Sequence, residues 1–293
     1  MDDLEGVQTR LEHLQSVQPI LGALRTISLA SWRTALRRRD RIQRYRDELT
    51  DVLAVLPSEP RPGEPGRQGT AASLIVLVIG SERGLCGRFN VAVAEYADAY
   101  LQEQLEAGRQ FELMALGTRT SRLLQRRQWS LAWSGKLSLT TLPSYSLALD
   151  LAGQWLARLR AGEIDAVDVI FNDYRGIGQY EPTVRHLLPP HPPTAELAGA
   201  TPPWPPPIIE TDPASLVEHV TGQWTAVDLY HTIVDSAVAE HSARYQLMEG
   251  ATQNADRLID ELTLAVQNAR KQAITREMQE LAAGAGLVGT REI

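Results

Sequence analysis

The sequence holds one cysteine, Cys86, and only two lysines, Lys136 and Lys271. A single cysteine excludes an intrachain disulfide and a cysteine-based structural zinc site, and it suits a reducing cytoplasm. Long apolar runs are missing too. The longest, Ala71 to Gly80, is half of the roughly 20 residues that span a bilayer, so no integral membrane protein is expected. The N-terminus, Met1-Asp2-Asp3-Leu4-Glu5, lacks a basic segment followed by an apolar core and is too acidic for a transit peptide; no signal or targeting segment is expected. Catalytic motifs are also lacking. Gly176-Ile177-Gly178 has no third glycine of a dinucleotide fingerprint, and Gly135-Lys136 lacks the upstream glycine and following Ser or Thr of a phosphate loop. There is no H-E-x-x-H and no G-x-S-x-G, and the six histidines show no metal-ligand spacing, so each is expected at the surface or an interface. No catalytic, metal-binding or cofactor-binding residue is assigned. Cys86 has no base beside it in the sequence and reads as a buried structural thiol rather than a nucleophile.

What remains is a chain of 293 residues, 43% hydrophobic and 22% charged, which is the composition of a folded soluble protein of one large or two small domains. Its net charge of −7 argues against nucleic acid as a main ligand. The positive charge is nearly all arginine, and seven arginines crowd Arg33, Arg37, Arg38, Arg39, Arg41, Arg44 and Arg46, with Asp40 the only acid among them. That run reads either as a solvated helix face or as a docking surface for an acidic protein or membrane headgroups.

Leu4, Val7, Leu11, Leu14, Leu21, Leu24 and Ile27 recur in steps of three and four and lay one apolar stripe along a helix, interrupted at Gln18 and kinked or weakened at Pro19. The organisation expected is an N-terminal coiled-coil helix over 1–56, a Pro/Gly-rich linker over 57–70, an α/β domain over 71–211 and a C-terminal coiled-coil helix over 212–293. Within the α/β domain, Leu74 to Ile79 reads as a buried strand, and strands at 111–117 and 168–172 alternate with helices at 90–105, 119–127 and 144–159. An edge strand is expected at 183–188, and the stretch 189–207, with nine prolines, is an exposed loop. From Ser242 to Leu281 a second stripe runs through Tyr245, Met248, Ala251, Ala255, Leu258, Leu262, Ala265, Ala269 and Gln272, with Arg257, Asp260, Glu261, Asn268 and Arg276 outside it. A helix of that length, about 60 Å, needs a partner, and the N-terminal helix is the one available. The fold class is therefore α/β with long helical arms: terminal helices in an antiparallel coiled coil, plus a central Rossmann-like α/β domain.

One short constellation stands out. Ser81-Glu82-Arg83-Gly84-Leu85-Cys86-Gly87-Arg88-Phe89-Asn90 lies between the first strand and a helix, with Gly84 and Gly87 allowing a sharp turn and Asn90 able to cap the helix. It could bind an anion at that helix N-terminus or serve only as a tight turn.

These residues resemble the gamma subunit of the rotary F-type ATP synthase. The 81–90 block is similar to that family's S-D-R-G-L-C-G-G-F-N, with Glu82 for Asp and Arg88 for Gly. Gln179 to Leu188 resembles its S-Q-E-P-T-V-E-Q-L-L segment, and His241 to Leu281 its C-terminal signature. Departures are Pro19, the scarcity of lysine in the first helix, Lys271 and Arg276 at positions usually Gln, and the proline-rich loop; they suggest a divergent member or the subunit of an alternative synthase. The resemblance implies a non-catalytic central-stalk rotor that couples ion flow through the membrane rotor to ATP synthesis or hydrolysis. It implies as partners the alpha and beta subunits of the catalytic ring, the epsilon subunit and the membrane rotor ring, on the cytoplasmic face of the bacterial inner membrane, with no nucleic acid and no membrane span. By position it implies ring contacts at Arg270, Lys271, Thr275 and Glu277, and a motif turn at Arg83, Gly84, Leu85, Cys86, Gly87, Phe89 and Asn90. The rival readings are an α/β nucleotide-binding enzyme with helical arms, which lacks a phosphate motif, and a coiled-coil adaptor using the arginine-rich helix.

Overall fold

The computed structural model describes residues 2–56, 73–139, 141–190 and 210–284. The expected linker and positions 191–207 of the proline-rich loop lie outside the described residues. The elements run α1 (Asp2–Val55), β1 (Ser73–Ile79), α2 (Phe89–Glu106), β2 (Gln110–Leu116), α3 (Thr118–Arg126), β3 (Trp133–Gly135), α4 (Tyr145–Ala161), β4 (Ala166–Gly176), β5 (Gln179–Leu188) and α5 (Pro213–Gly284). The chain divides into two compact units, one of residues 1–27 with 247–293, the other Ser28–Gln246.

In the larger unit the strands form one sheet in the order β3-β2-β1-β4-β5. β1 pairs in parallel with β2 and β4, and β4 turns back into β5 as an antiparallel hairpin. β1 is central and covered on both faces, which is why its sequence is continuously apolar rather than alternating. Leu74, Val76 and Val78 face a cluster with Val93, Ala97 and Leu101 of α2 and Leu124 of α3. Ile75, Leu77 and Ile79 face α4, through Leu151 and Trp155, and α5, through Val227, Tyr230 and Val234. Each such side chain, taken fully out of water, contributes about 1.5–3 kcal/mol before entropy is counted. α5 is buried without exception from 224 to 240.

In the smaller unit α1 and α5 lie antiparallel. Gln18 donates to Asp256 at 2.6 Å and Arg25 pairs with Glu249 at 3.3 Å. Advancing seven residues along α1 thus retreats seven along α5, the register of an antiparallel coiled coil. Met248, Ala255 and Val266 are buried there. Ala265 and Gln272, expected in the stripe, are exposed, and Val266 takes the inward position instead. Ile27 is 59% exposed and lies off its stripe. Gln18 is no interruption, since its amide is one of the seam's bonds. Pro19 sits inside α1, where it removes one helical donor, and α1 is assigned helical through it.

β3 was not expected from the sequence; three residues including Ser and Gly carry no strand pattern and take one only by pairing with Met114 to Leu116. β5 begins at Gln179, earlier than expected, because the hairpin turn at Gly178, with φ 69°, sets its start.

Candidate functional site

In a parallel sheet of this kind a ligand is received in the crevice beyond the carboxyl ends of the strands, where the chain order reverses. Here that point lies between β1 and β4, and the 81–90 turn forms one wall. The turn is tightly built. Asn90 is buried and accepts from the Ser81 backbone N–H at 2.9 Å and from the Thr120 hydroxyl at 3.0 Å, while its amide donates to Ser81 Oγ at 2.7 Å. This corrects the capping role expected for Asn90: the N-cap position is Arg88, and no side chain caps α2. The left-handed residues are Gly87, φ 60°, and Leu85, φ 61°, not Gly84. Leu85 is 58% exposed, whereas Cys86 and Phe89 are buried. Glu82 turns away to receive the backbone N–H groups of Thr118, at the start of α3, and of Leu137, just after β3, both at 3.1 Å. Burial raises its carboxyl, but these bonds and the Thr118 hydroxyl outweigh that and hold it below the usual carboxylate range. Gly117 has φ 103°, and a Cβ there would lie 2.9 Å from the Gly80 carbonyl carbon, so the β1 and β2 ends can meet only without a side chain.

The crevice is occupied by α5. Cys86 and Phe89 pack on Ala239 and Ala243, with Tyr174 and Tyr180 against them. Arg244 reaches the turn, donating to the Gly84 carbonyl at 3.3 Å. Its charge is met by Glu240, at 2.5 Å, and both side chains are 11% exposed. Burial pushes Glu240 upward, against the pull of Arg244. His241 accepts from Arg244; burial, then the Arg244 charge, push it down to about 4, so it is neutral near pH 7. Burial also raises the Cys86 thiol, and Glu240 adds to that, which makes it inert rather than nucleophilic. From the other wall Gly178 donates to Ser242 Oγ at 2.7 Å. The space a phosphate would enter holds a helix, so the arrangement joins sheet to helix.

A second polar system lies along α1 and α5 inside the same unit. Arg39 bonds Asp235 at 3.2 Å and Arg46 bonds Asp228 at 2.7 Å, again seven forward against seven back. Arg185 of β5 shares Asp228 at 3.4 Å, and Trp224 donates to Thr50 at 2.9 Å. Arg39 and Arg46 thus leave the expected outer arginine face and turn inward, while Arg33, Arg37, Arg38, Arg41 and Arg44 are exposed. His231 is in the interior, contrary to expectation: burial, then Arg46, Arg185 and Arg39, push it down to about 3. The seven-residue spacing of Gln18, Arg25, Arg39 and Arg46 was the available signal for this inward set, and the density of neighbouring arginines masked it.

Arg270, Lys271, Thr275 and Glu277 lie on the last part of α5, where 270–281 is exposed throughout. Thr275 bonds only its own helix, at the Lys271 carbonyl, 2.8 Å. No ion pair engages Arg270, Lys271 or Glu277 among the described residues. These four are brought near none of the turn residues by sequence, and they belong to the smaller unit while the turn belongs to the larger. Among the described residues no cluster of three or more His, Cys, Asp or Glu could hold a metal, and no helix is long and apolar enough to cross a membrane.

Residues 3–287 match the family model described as ATP synthase. The chain belongs to the ATP synthase family. Its relatives are similar along their whole length. The ATP synthase gamma chain of Fuscovulum blasticum is 26% identical over 292 residues, covering 97% of this chain and 99% of its own. That of Pelotomaculum thermopropionicum is 29% identical over 289 residues, with the same coverage. The fold is also that of a chain in the structure of the Euglena gracilis mitochondrial ATP synthase OSCP, F1 and c-ring, with TM-score 0.63, 18% identity and coverage of 100% and 98%. Within the ATP synthase family the chain is of the gamma type, the non-catalytic central-stalk subunit, as the motif turn and the C-terminal block implied. As such it is part of the membrane-associated F1 complex.

Proposed function

We propose that the chain is the rotor that couples ion flow through the membrane ring to ATP synthesis or hydrolysis, with the four sequence segments 1–56, 57–70, 71–211 and 212–293 as its working parts. Its partners are the alpha and beta subunits of the catalytic ring, the epsilon subunit and the membrane rotor ring, and its place is peripheral, on the cytoplasmic face of a bacterial inner membrane. The observation that carries this reading is the pairing of the two chain ends in one antiparallel seam, Gln18 with Asp256 and Arg25 with Glu249. Helices paired in this way resist bending and leave polar outer faces, which is what turning inside a protein sleeve requires. A rotor biases the nucleotide sites around it by touching them differently, a coupling by differential contact. Arg270, Lys271, Thr275 and Glu277 supply such contacts, and the 81–90 turn fixes the sheet to α5 so that torque reaches the helix.

The test is a comparison of the isolated full chain with the reconstituted complex. The chain alone should hydrolyse no ATP and bind no nucleotide by calorimetry, and the complex should show ATPase activity that depends on the chain being present. Micromolar ATP binding by the isolated chain, lost on changing Gly84 or Gly87, would count decisively against a rotor-only role.

A further inference from the structure

Asp168 of β4 is 2% exposed and stands opposite His186 in the register of the β4–β5 hairpin. Two side chains donate to its carboxylate. The Tyr100 hydroxyl of α2 gives its hydrogen to Oδ2. His186 meets Oδ1 with Nδ1 at 2.5 Å. Burial, then the bond to Asp168, raise the Tyr100 hydroxyl, so Tyr100 keeps its hydrogen. Among the described residues no arginine or lysine bonds Asp168, and its one partner able to carry positive charge is His186. The two ends of that pair differ sharply: the Asp168 side chain is 3% exposed and that of His186 is 71% exposed. A carboxylate only accepts, so the ring hydrogen sits on Nδ1 and the lone pair is left on Nε2. Nε2 takes no hydrogen bond among the described residues, and β5 is the outermost strand of the sheet. His13 and His219 are exposed as well, but neither is paired with a carboxylate among the described residues.

We propose that His186 is a phosphoryl-accepting histidine with Asp168 as its positioning residue, and that Nε2 takes the phosphoryl group of a small nitrogen-linked donor of the phosphoramidate class. The Nε2 lone pair forms the new bond to phosphorus. The phosphorus–nitrogen bond of the donor breaks, and ammonia leaves with that electron pair and the three hydrogens the donor nitrogen already carries. Nothing is oxidised or reduced. The product ring is substituted at Nε2 and still protonated at Nδ1, so it is positively charged. At His13 or His219 that charge meets no paired carboxylate. At His186 it lies against a buried carboxylate with no other cation, and a hydrogen bond to a charged group is stronger than one between neutral groups. The gain belongs to the product and to the transition state that leads to it. His186 stands where the similar family segment has Gln, which offers no ring nitrogen, so the site is among this chain's departures from that segment. It holds whether or not the chain turns as a rotor.

The test treats the full chain with potassium phosphoramidate at pH 8 and follows each histidine by peptide mass spectrometry, with phosphorus NMR to tell the two ring isomers apart. His186 should be labelled about tenfold faster than His13 and His219, and at Nε2. Labelling of His13 or His219 at the same rate, or labelling of His186 at Nδ1, overturns the proposal. Asp168→Asn should bring His186 down to the rate of the other two and leave theirs unchanged; an unchanged His186 rate also overturns it. Should that variant fail to fold, nitrogen-15 NMR of the wild-type ring decides the role of Asp168. Hydrogen on Nδ1 with a bare Nε2 supports the assignment, and the opposite tautomer refutes it.

Discussion

α5 is one helix with two opposite surfaces along its length. From 224 to 240 every residue is buried; from 270 to 281 every residue is exposed. The first stretch has almost no freedom of composition. It carries Ala226, Val227, Tyr230, Ile233 and Val234 toward the sheet, and Asp228, Asp235 and Glu240 toward arginines that neutralise them. The second carries Arg270, Lys271, Ile274, Met278 and Leu281 with no described neighbour to receive them, and Leu281 is 74% exposed. The difference teaches where a change should show. In the buried stretch, charge and shape maintain the fold. In the exposed stretch they do little for the fold among the described residues.

The strongest way to break this comparison is to remove Asp228. Two arginines, Arg46 and Arg185, converge on its carboxylate, and Asp228→Ala leaves both without it in a mostly buried seam. Loss of a partner from such a pair costs about 3–5 kcal/mol. Urea unfolding of the full chain should show it; a loss under 1 kcal/mol would mean that the seam is solvated and the buried stretch tolerant.

Acid should find the same stretch next. His231 and His241 sit at about 3 and about 4 in the folded chain, while the unfolded chain takes up protons near 6.5. The unfolded state therefore binds more protons below 6.5, and stability falls as pH drops from 6.5 toward 4, by on the order of 3 kcal/mol for each histidine. Asp235 offsets part of this below about 6. Denaturation at pH 7 and pH 4.5, with His231→Phe as the control that loses part of the slope, checks the sign. A chain more stable at pH 4.5 would contradict it.

The smallest effect on folding belongs to the exposed stretch. Arg270→Ala with Lys271→Ala should change stability by about 0–1 kcal/mol, because neither side chain is engaged among the described residues. Steady-state ATP turnover of the reconstituted complex should nevertheless fall. Unchanged turnover with normal assembly would remove these residues from the coupling surface, and a large drop in melting temperature would move them into the fold.

Most of this architecture is legible in the chain because burial on two faces writes an unmistakable pattern. The run Leu74 to Ile79 could hardly be anything but a central strand, and helices at 89–106, 118–126 and 145–161 fall within a residue or two of their expected bounds. What escaped was set by neighbours. Trp133–Gly135 is a strand only because β2 lies beside it. Asn90 has the chemistry of a helix cap, yet it is spent on Ser81 and Thr120, contacts made by folding and invisible in spacing. Arg39 and Arg46 look like their exposed neighbours until Asp235 and Asp228 arrive from nearly two hundred residues away. At the candidate site the turn was legible as a turn, but the contact of Arg244 and Glu240 that holds it to α5 joins residues about 160 apart and shows in no spacing.

The filled crevice can also be seen as a binding site whose ligand is part of the same chain. Ala239, Ala243 and Arg244 stand where a phosphate would be received, and they are presented at a local concentration that no free solute matches; even short flexible tethers give effective concentrations in the millimolar range. Occupancy is then independent of how much nucleotide the cell contains. What reaches the sheet through this crevice therefore reaches it by way of α5.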